Sequence, residues 1–119
     1  MTVWNYRKWI SQSIVEYNKY KKTNELENLA QAGEKVWNAF NIIIQNKVKR
    51  KIRSYGEMKI VVGKLFQETG SELLLTVKKD AYDLHVFFYQ GWTDDPTEIE
   101  ELYIKTKNNV ISLAEILKR

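Results

Sequence analysis

The chain has no cysteine, one histidine, one proline and five glycines in 119 residues. Without cysteine there is neither a disulfide framework nor a thiolate metal site, and a lone histidine leaves an all-protein zinc site without its usual ligands. No metal and no cofactor is therefore expected. So little proline and glycine, with no turn clusters at regular intervals, argues against a fold of many short strands and for helices. No apolar run approaches the roughly 18 residues of a membrane span. The opening stretch MTVWNYRKWISQSI has charges among its apolar residues, unlike a signal peptide. These absences point to a soluble, cytoplasmic protein with no membrane partner. The hydrophobic share of 44% is enough for one core, and a single domain over 1–119 is expected.

Helical periodicity is present along most of the chain. Tyr6, Ile10, Ile14 and Tyr17, with Ser13 among them, predict a first helix over 3–21. Thr23 or Asn24 can cap a second helix whose stripe is Leu26, Leu29, Ala30, Gly33, Trp37, Phe40 and Ile44. Gly33 inside that stripe costs about 1 kcal/mol relative to alanine, so a neighbouring helix or large ring is expected to come close there. The stretch KVKRKIRSYGE reads as a frayed helix end and a loop around Tyr55 and Gly56. A short third helix, 57–68, follows from Met58, Val61, Val62, Leu65 and Phe66. Gly70 suits a left-handed C-cap and Ser71 the next N-cap. The fourth helix runs from Glu72 to Gln90 with Leu74, Val77, Ala81, Leu84 and Phe88 inward. Asp95-Pro96-Thr97-Glu98 combines an acidic N-cap, proline at the first helical position and glutamate three residues after the cap. A fifth helix follows, with Ile99, Leu102, Thr106, Val110, Leu113 and Leu117 on its inner face. Short connections between long amphipathic helices predict an all-α, up-and-down four-helix bundle with an additional short helix.

Two features carry chemistry. At 100° per residue, His85 lies about 60° from the centre of its helix's apolar stripe. Lys78, Tyr82 and Tyr89 fall on the same flank. This strip offers a cation, an imidazole and two phenols, a set suited to phosphate contact, base stacking and proton transfer. The alternative is a boundary histidine and tyrosines that bond a neighbouring helix or pack a dimer face. The second feature is the run Lys47, Lys49, Arg50, Lys51 and Arg53, followed by Tyr55. Dense cations release counterions from phosphates, and a nearby ring stacks on an unpaired base; the same cations also complement a helix C-terminus. Charge is uneven along the chain: residues 1–59 hold 12 Lys and Arg against 5 Asp and Glu, and residues 60–119 hold 7 against 10. Such polarity fits an anionic partner on one face, or self-association. Four tryptophans among an aromatic share of 13% exceed what a small interior holds, so a homodimer that covers some of them is expected.

The stretches GEKVWNAF, LFQETGSELL and LHVFFYQGWTDDPTEIEELY resemble the HEPN domain (higher eukaryotes and prokaryotes nucleotide-binding), closest to its archaeal PaREP-type branch, over about residues 26–117. The resemblance implies a compact HEPN-like helical bundle. It also implies a dimer in which a histidine assists attack by an RNA 2′-hydroxyl while an arginine, separated from it by four to six intervening residues on the N-terminal side, steadies the phosphate. Here Asp80, Lys79 and Lys78 occupy the positions where arginine belongs, and the candidate catalytic pair is His85 with Lys78, because only Lys78 shares a helix face with His85. Lysine lacks the planar two-point grip of guanidinium. The resemblance therefore implies a dimeric nucleic-acid or nucleotide-associated module with weak or lost catalysis. Two alternatives stay open, namely the partner subunit of a nucleotidyltransferase and a metal-independent RNase built on His85 and Lys78.

Overall fold

Local capping sets the limits of each helix. The computed structural model describes residues 5–118, and these form α1 (Tyr6–Thr23), α2 (Leu26–Val48), α3 (Tyr55–Thr69), α4 (Glu72–Gln90) and α5 (Pro96–Leu117). There is no strand among the described residues. The start of the first helix expected at residue 3, and Trp4 with it, lie outside them. Asn5 caps α1 through its side chain, which accepts from Lys8 N–H. Asp95 caps α5 in the same way, accepting from Glu98 N–H, with Pro96 in the first turn as the sequence predicts. Gly70 and Gly91 close α3 and α4 with φ near 70°, the left-handed conformation that only glycine adopts without a Cβ penalty.

The junctions around α2 differ from expectation. Asn24 is the left-handed C-cap of α1 rather than an N-cap, while Thr23 Oγ1 accepts from Glu25 N–H and from the Asn28 side chain. Glu25 holds the N-cap position of α2 without a side-chain bond. At the other end, Tyr55 and Gly56 belong to the first turn of α3, not to a loop. Ser54 accounts for the shift, because its hydroxyl oxygen accepts from Glu57 N–H and so starts the helix two residues early.

The long helix α2 is central. It packs on α1, α4 and α5, α4 packs on α5, and α3 packs mainly on α4. Along the α2–α4 seam, Gly33 meets Leu84 and Trp37 meets Tyr82, so the two helices run antiparallel. Along the α1–α5 seam, Arg7 pairs with Glu115 and Lys21 with Glu100, again antiparallel. The core holds Leu29, Phe40, Ile44, Leu74, Leu84 and Leu113, all fully buried. A Cβ on Gly33 would stand 3.2 Å from Leu84 Cβ and Cδ2, which is the close approach its position predicts. The expected stripes miss several buried residues and include one that is exposed. Val36 and Tyr103 are fully buried, whereas Ile14, assigned to the inner face of α1, is 39% exposed. The Tyr103 ring is stacked on Tyr17 at 4.9 Å and shares a 3.1 Å hydrogen bond with Ser13.

Candidate nucleotide-binding cleft

Side chains at Glu34, Trp37 and Asn41 rise from one flank of α2, three and four residues apart, and therefore share a face. Opposite them α4 presents Tyr82, His85 and Tyr89 at the same kind of spacing. His85 Nδ1 lies 2.7 Å from Glu34 Oε1. The imidazole stacks on Trp37, with ring centres 5.0 Å apart, and Tyr89 meets its edge at 4.9 Å. The ring is thus fixed by one hydrogen bond and by aromatic contacts with Trp37, Tyr82 and Tyr89. Burial pushes the Glu34 carboxyl above its ordinary range, and the bond to His85 offsets this only in part.

Tyr55, the first residue of α3, completes the cluster. Its ring stacks on Tyr82 at 3.7 Å and approaches Trp37 at 6.4 Å. A surface cleft of about 200 Å³ opens beside these rings. One wall is Trp37, Asn41, Tyr82 and His85; the other is the turn Ile52, Arg53, Ser54 and Tyr55. Gln45 shapes that turn, since its side-chain oxygen accepts from Ile52 N–H while its main-chain oxygen accepts from Lys49 N–H and Arg50 N–H. The cleft thus brings together a guanidinium, aromatic faces and a hydrogen-bonded histidine, which suits phosphate contact and ring stacking.

The structure divides the residues singled out in the sequence. His85, Tyr82, Tyr89 and Tyr55 meet in one ring cluster, and Arg53 reaches the cleft they border. Lys78 does not join them. It stands two turns before His85, a rise of about 10 Å, with Tyr82 between. Nor is the basic run one patch. Arg50 pairs with Glu57 on α3. Lys47 and Lys49 line a separate groove of about 380 Å³ with Tyr6, Ile43 and Leu117, where α2 and α5 end. Lys51 is exposed in the turn. At the positions where the RNase pattern has arginine, Asp80 is buried and Lys79 pairs with Asp83. The Lys105 ammonium lies 3.1 Å from Asp80 Oδ2, near enough to balance charge though off the line of a hydrogen bond.

Glu34, Asn41 and Ser54 belong to the site and are not among the candidates drawn from the sequence. A signal for Glu34 is present all the same: a carboxylate directly after an interior glycine, on the border of an apolar stripe. Among the described residues, no group of three or more His, Asp or Glu side chains is placed to hold a metal ion. No helix of the described residues is long and apolar enough to cross a membrane.

No curated protein and no solved structure matches the chain. The model of the archaeal PaREP1/PaREP8 family matches residues 9–107, from the first turns of α1 into the second half of α5, and by that match the chain belongs to the archaeal PaREP1/PaREP8 family.

Proposed function

We propose that the protein is a HEPN-like, dimeric module of one domain that binds single-stranded RNA or a nucleotide in the α2–α4 cleft, with RNA cleavage weak or lost. The observation that carries this reading is the presence of Arg53, Tyr55, Tyr82 and His85 around one cleft. Guanidinium grips phosphate at two points, and aromatic faces hold unpaired bases whatever their sequence. The antiparallel α2–α4 and α1–α5 pairs, with α3 the shortest of the helices, agree with a four-helix bundle plus one shorter element. Tyr89, which meets the edge of His85, and Trp92, three residues further on, are 73% and 68% exposed, large rings left at the surface as a dimer contact requires. Weak or lost catalysis agrees with Lys79 and Asp80 being engaged elsewhere and Lys78 standing two turns from His85.

Anisotropy with a labelled single-stranded RNA tests the reading. Binding is expected to weaken with salt, and Arg53→Gln to lower the salt slope by about one. Affinity and slope that do not respond to Arg53→Gln would retire it.

One observation favours the RNase alternative. A carboxylate that holds a histidine by Nδ1 is the usual way to orient a general base. That alternative requires cleavage in EDTA, abolished by His85→Ala at unchanged melting temperature; intact RNA under those conditions removes it.

A further inference from the structure

We infer that the cleft selects nucleobases that carry an exocyclic amino group, an inference that rests on the nucleotide-binding reading above and narrows it. The hydrogen bonds already made inside the cleft fix what remains to be offered. Asn41 Nδ2 lies 2.9 Å from Trp37 O. A main-chain carbonyl only accepts, so the amide nitrogen must face it, and Oδ1 is left as an acceptor. The same reasoning holds for His85. An ionised Glu34 only accepts, so Nδ1 carries the hydrogen, and the ring in its uncharged form presents a lone pair at Nε2.

The half-buried α2–α4 wall therefore offers two acceptors. Donors stand on the exposed turn: Arg53, and the Ser54 hydroxyl, whose oxygen already accepts from Glu57 N–H and whose hydrogen stays available. Such a cleft complements a ligand with N–H groups toward α2 and α4 and a phosphate toward the turn. Its volume of about 200 Å³ is below the roughly 300–1,000 Å³ that encloses a drug-sized molecule, so one ring enters and the rest of the chain stays outside. Adenine and cytosine can meet both acceptors with the two hydrogens of one amino group; uracil and hypoxanthine have a carbonyl there and a single ring N–H beside it, so one acceptor is left against a carbonyl oxygen and unpaired.

The experiment compares a labelled uridine hexanucleotide with versions that carry a single A, C or I at one central position, with anisotropy as the readout. Adenine against hypoxanthine keeps the purine ring, and cytosine against uracil keeps the pyrimidine ring, so stacking is held constant. The A and C oligonucleotides are expected to bind about tenfold more tightly than the I and U ones, the size of one well-made hydrogen bond. Asn41→Ala should bring the A-to-I ratio to about one with its circular-dichroism melt retained; Glu34→Gln, which lets the amide nitrogen face Nδ1 and moves the ring hydrogen to Nε2, should lower the same ratio. Equal affinities for all four in the parent protein overturn the selection while the nucleotide-binding reading stands. An A-to-I ratio that survives Asn41→Ala and Glu34→Gln likewise overturns the assignment to this wall. No binding to any oligonucleotide removes both readings together.

Discussion

At the α1–α5 seam the Tyr17 hydroxyl and the Lys21 ammonium converge on one carboxylate, Glu100, while at the α2–α4 seam the Glu34 carboxyl meets His85 Nδ1. All three bonds cross between helices, and Tyr17 and His85 each stack on a neighbouring ring. The electrostatic outcomes at the two seams are opposite. Bonds from Tyr17 and Lys21 hold Glu100 below its usual range, and the same carboxylate pushes the Tyr17 hydroxyl up to about 12. Glu34 is pushed upward by burial despite its partner. The first seam has settled its charge and acts as a clamp. The second holds an unsettled charge beside an open cleft, an arrangement found more often at sites of binding or chemistry than at clamps.

The largest way to break this comparison is at the clamp. Tyr103→Ala removes a fully buried ring that stacks on Tyr17 and bonds Ser13. A loss of about 3–5 kcal/mol is expected in urea unfolding. Nucleotide affinity at low denaturant should be little changed if the two seams are separate in function.

A smaller effect is expected at the other seam. Gly33→Ala puts a methyl group 3.2 Å from Leu84 atoms, one residue from Glu34. Overpacking of this kind costs about 1–3 kcal/mol, partly offset by the better helix propensity of alanine. Because the methyl forces α2 and α4 apart beside His85, the same variant should also weaken RNA binding. A stabilised protein with full affinity would show that the seam has slack.

The finest contrast is in pH. Glu100 has a depressed pKa, so the stability it contributes is present above its ordinary 4.5 and is lost as pH falls through the lower folded value. Glu34 has a raised pKa, so the folded state keeps its proton longer, and its ionisation costs stability as pH rises from 4.5 through the higher folded value. Urea unfolding from acid to neutral pH should therefore show Glu100→Gln most harmful at neutral pH. Relative to the parent, Glu34→Gln should gain ground as pH rises. Parallel profiles for the two variants would contradict the contrast between the seams.

Much of the architecture was open to a reader of the sequence, because its signals are local. Gly70, Gly91 and the Asp95-Pro96 pair mark helix ends through backbone conformation and capping bonds that neighbours a few residues away decide. Ser54 is equally local, yet the cations around it obscure a serine that caps three residues ahead. Helical arithmetic also placed Tyr82, His85 and Tyr89 on one flank. What it lacked was the partner across the seam. Glu34 stands 51 residues from His85 in the chain, and periodicity along α2 ranks Trp37 as core without saying which neighbour its face will meet. Nor does charge density in one dimension reveal that Arg50 pairs with Glu57 while Lys47 and Lys49 line another groove.

The stack of Tyr55 on Tyr82 has a kinetic consequence. Since α3 packs mainly on α4 whereas α2 packs on α1, α4 and α5, the α3 entry turn is expected to open more readily than the α2 centre. Amide hydrogens from Tyr55 to about Lys59 should exchange with solvent well before those around Val36 and Phe40. Because Arg53 and Ser54 precede that turn, the rate at which Tyr55 leaves Tyr82 sets an upper limit on how fast any ligand that needs a wider cleft can be admitted or released.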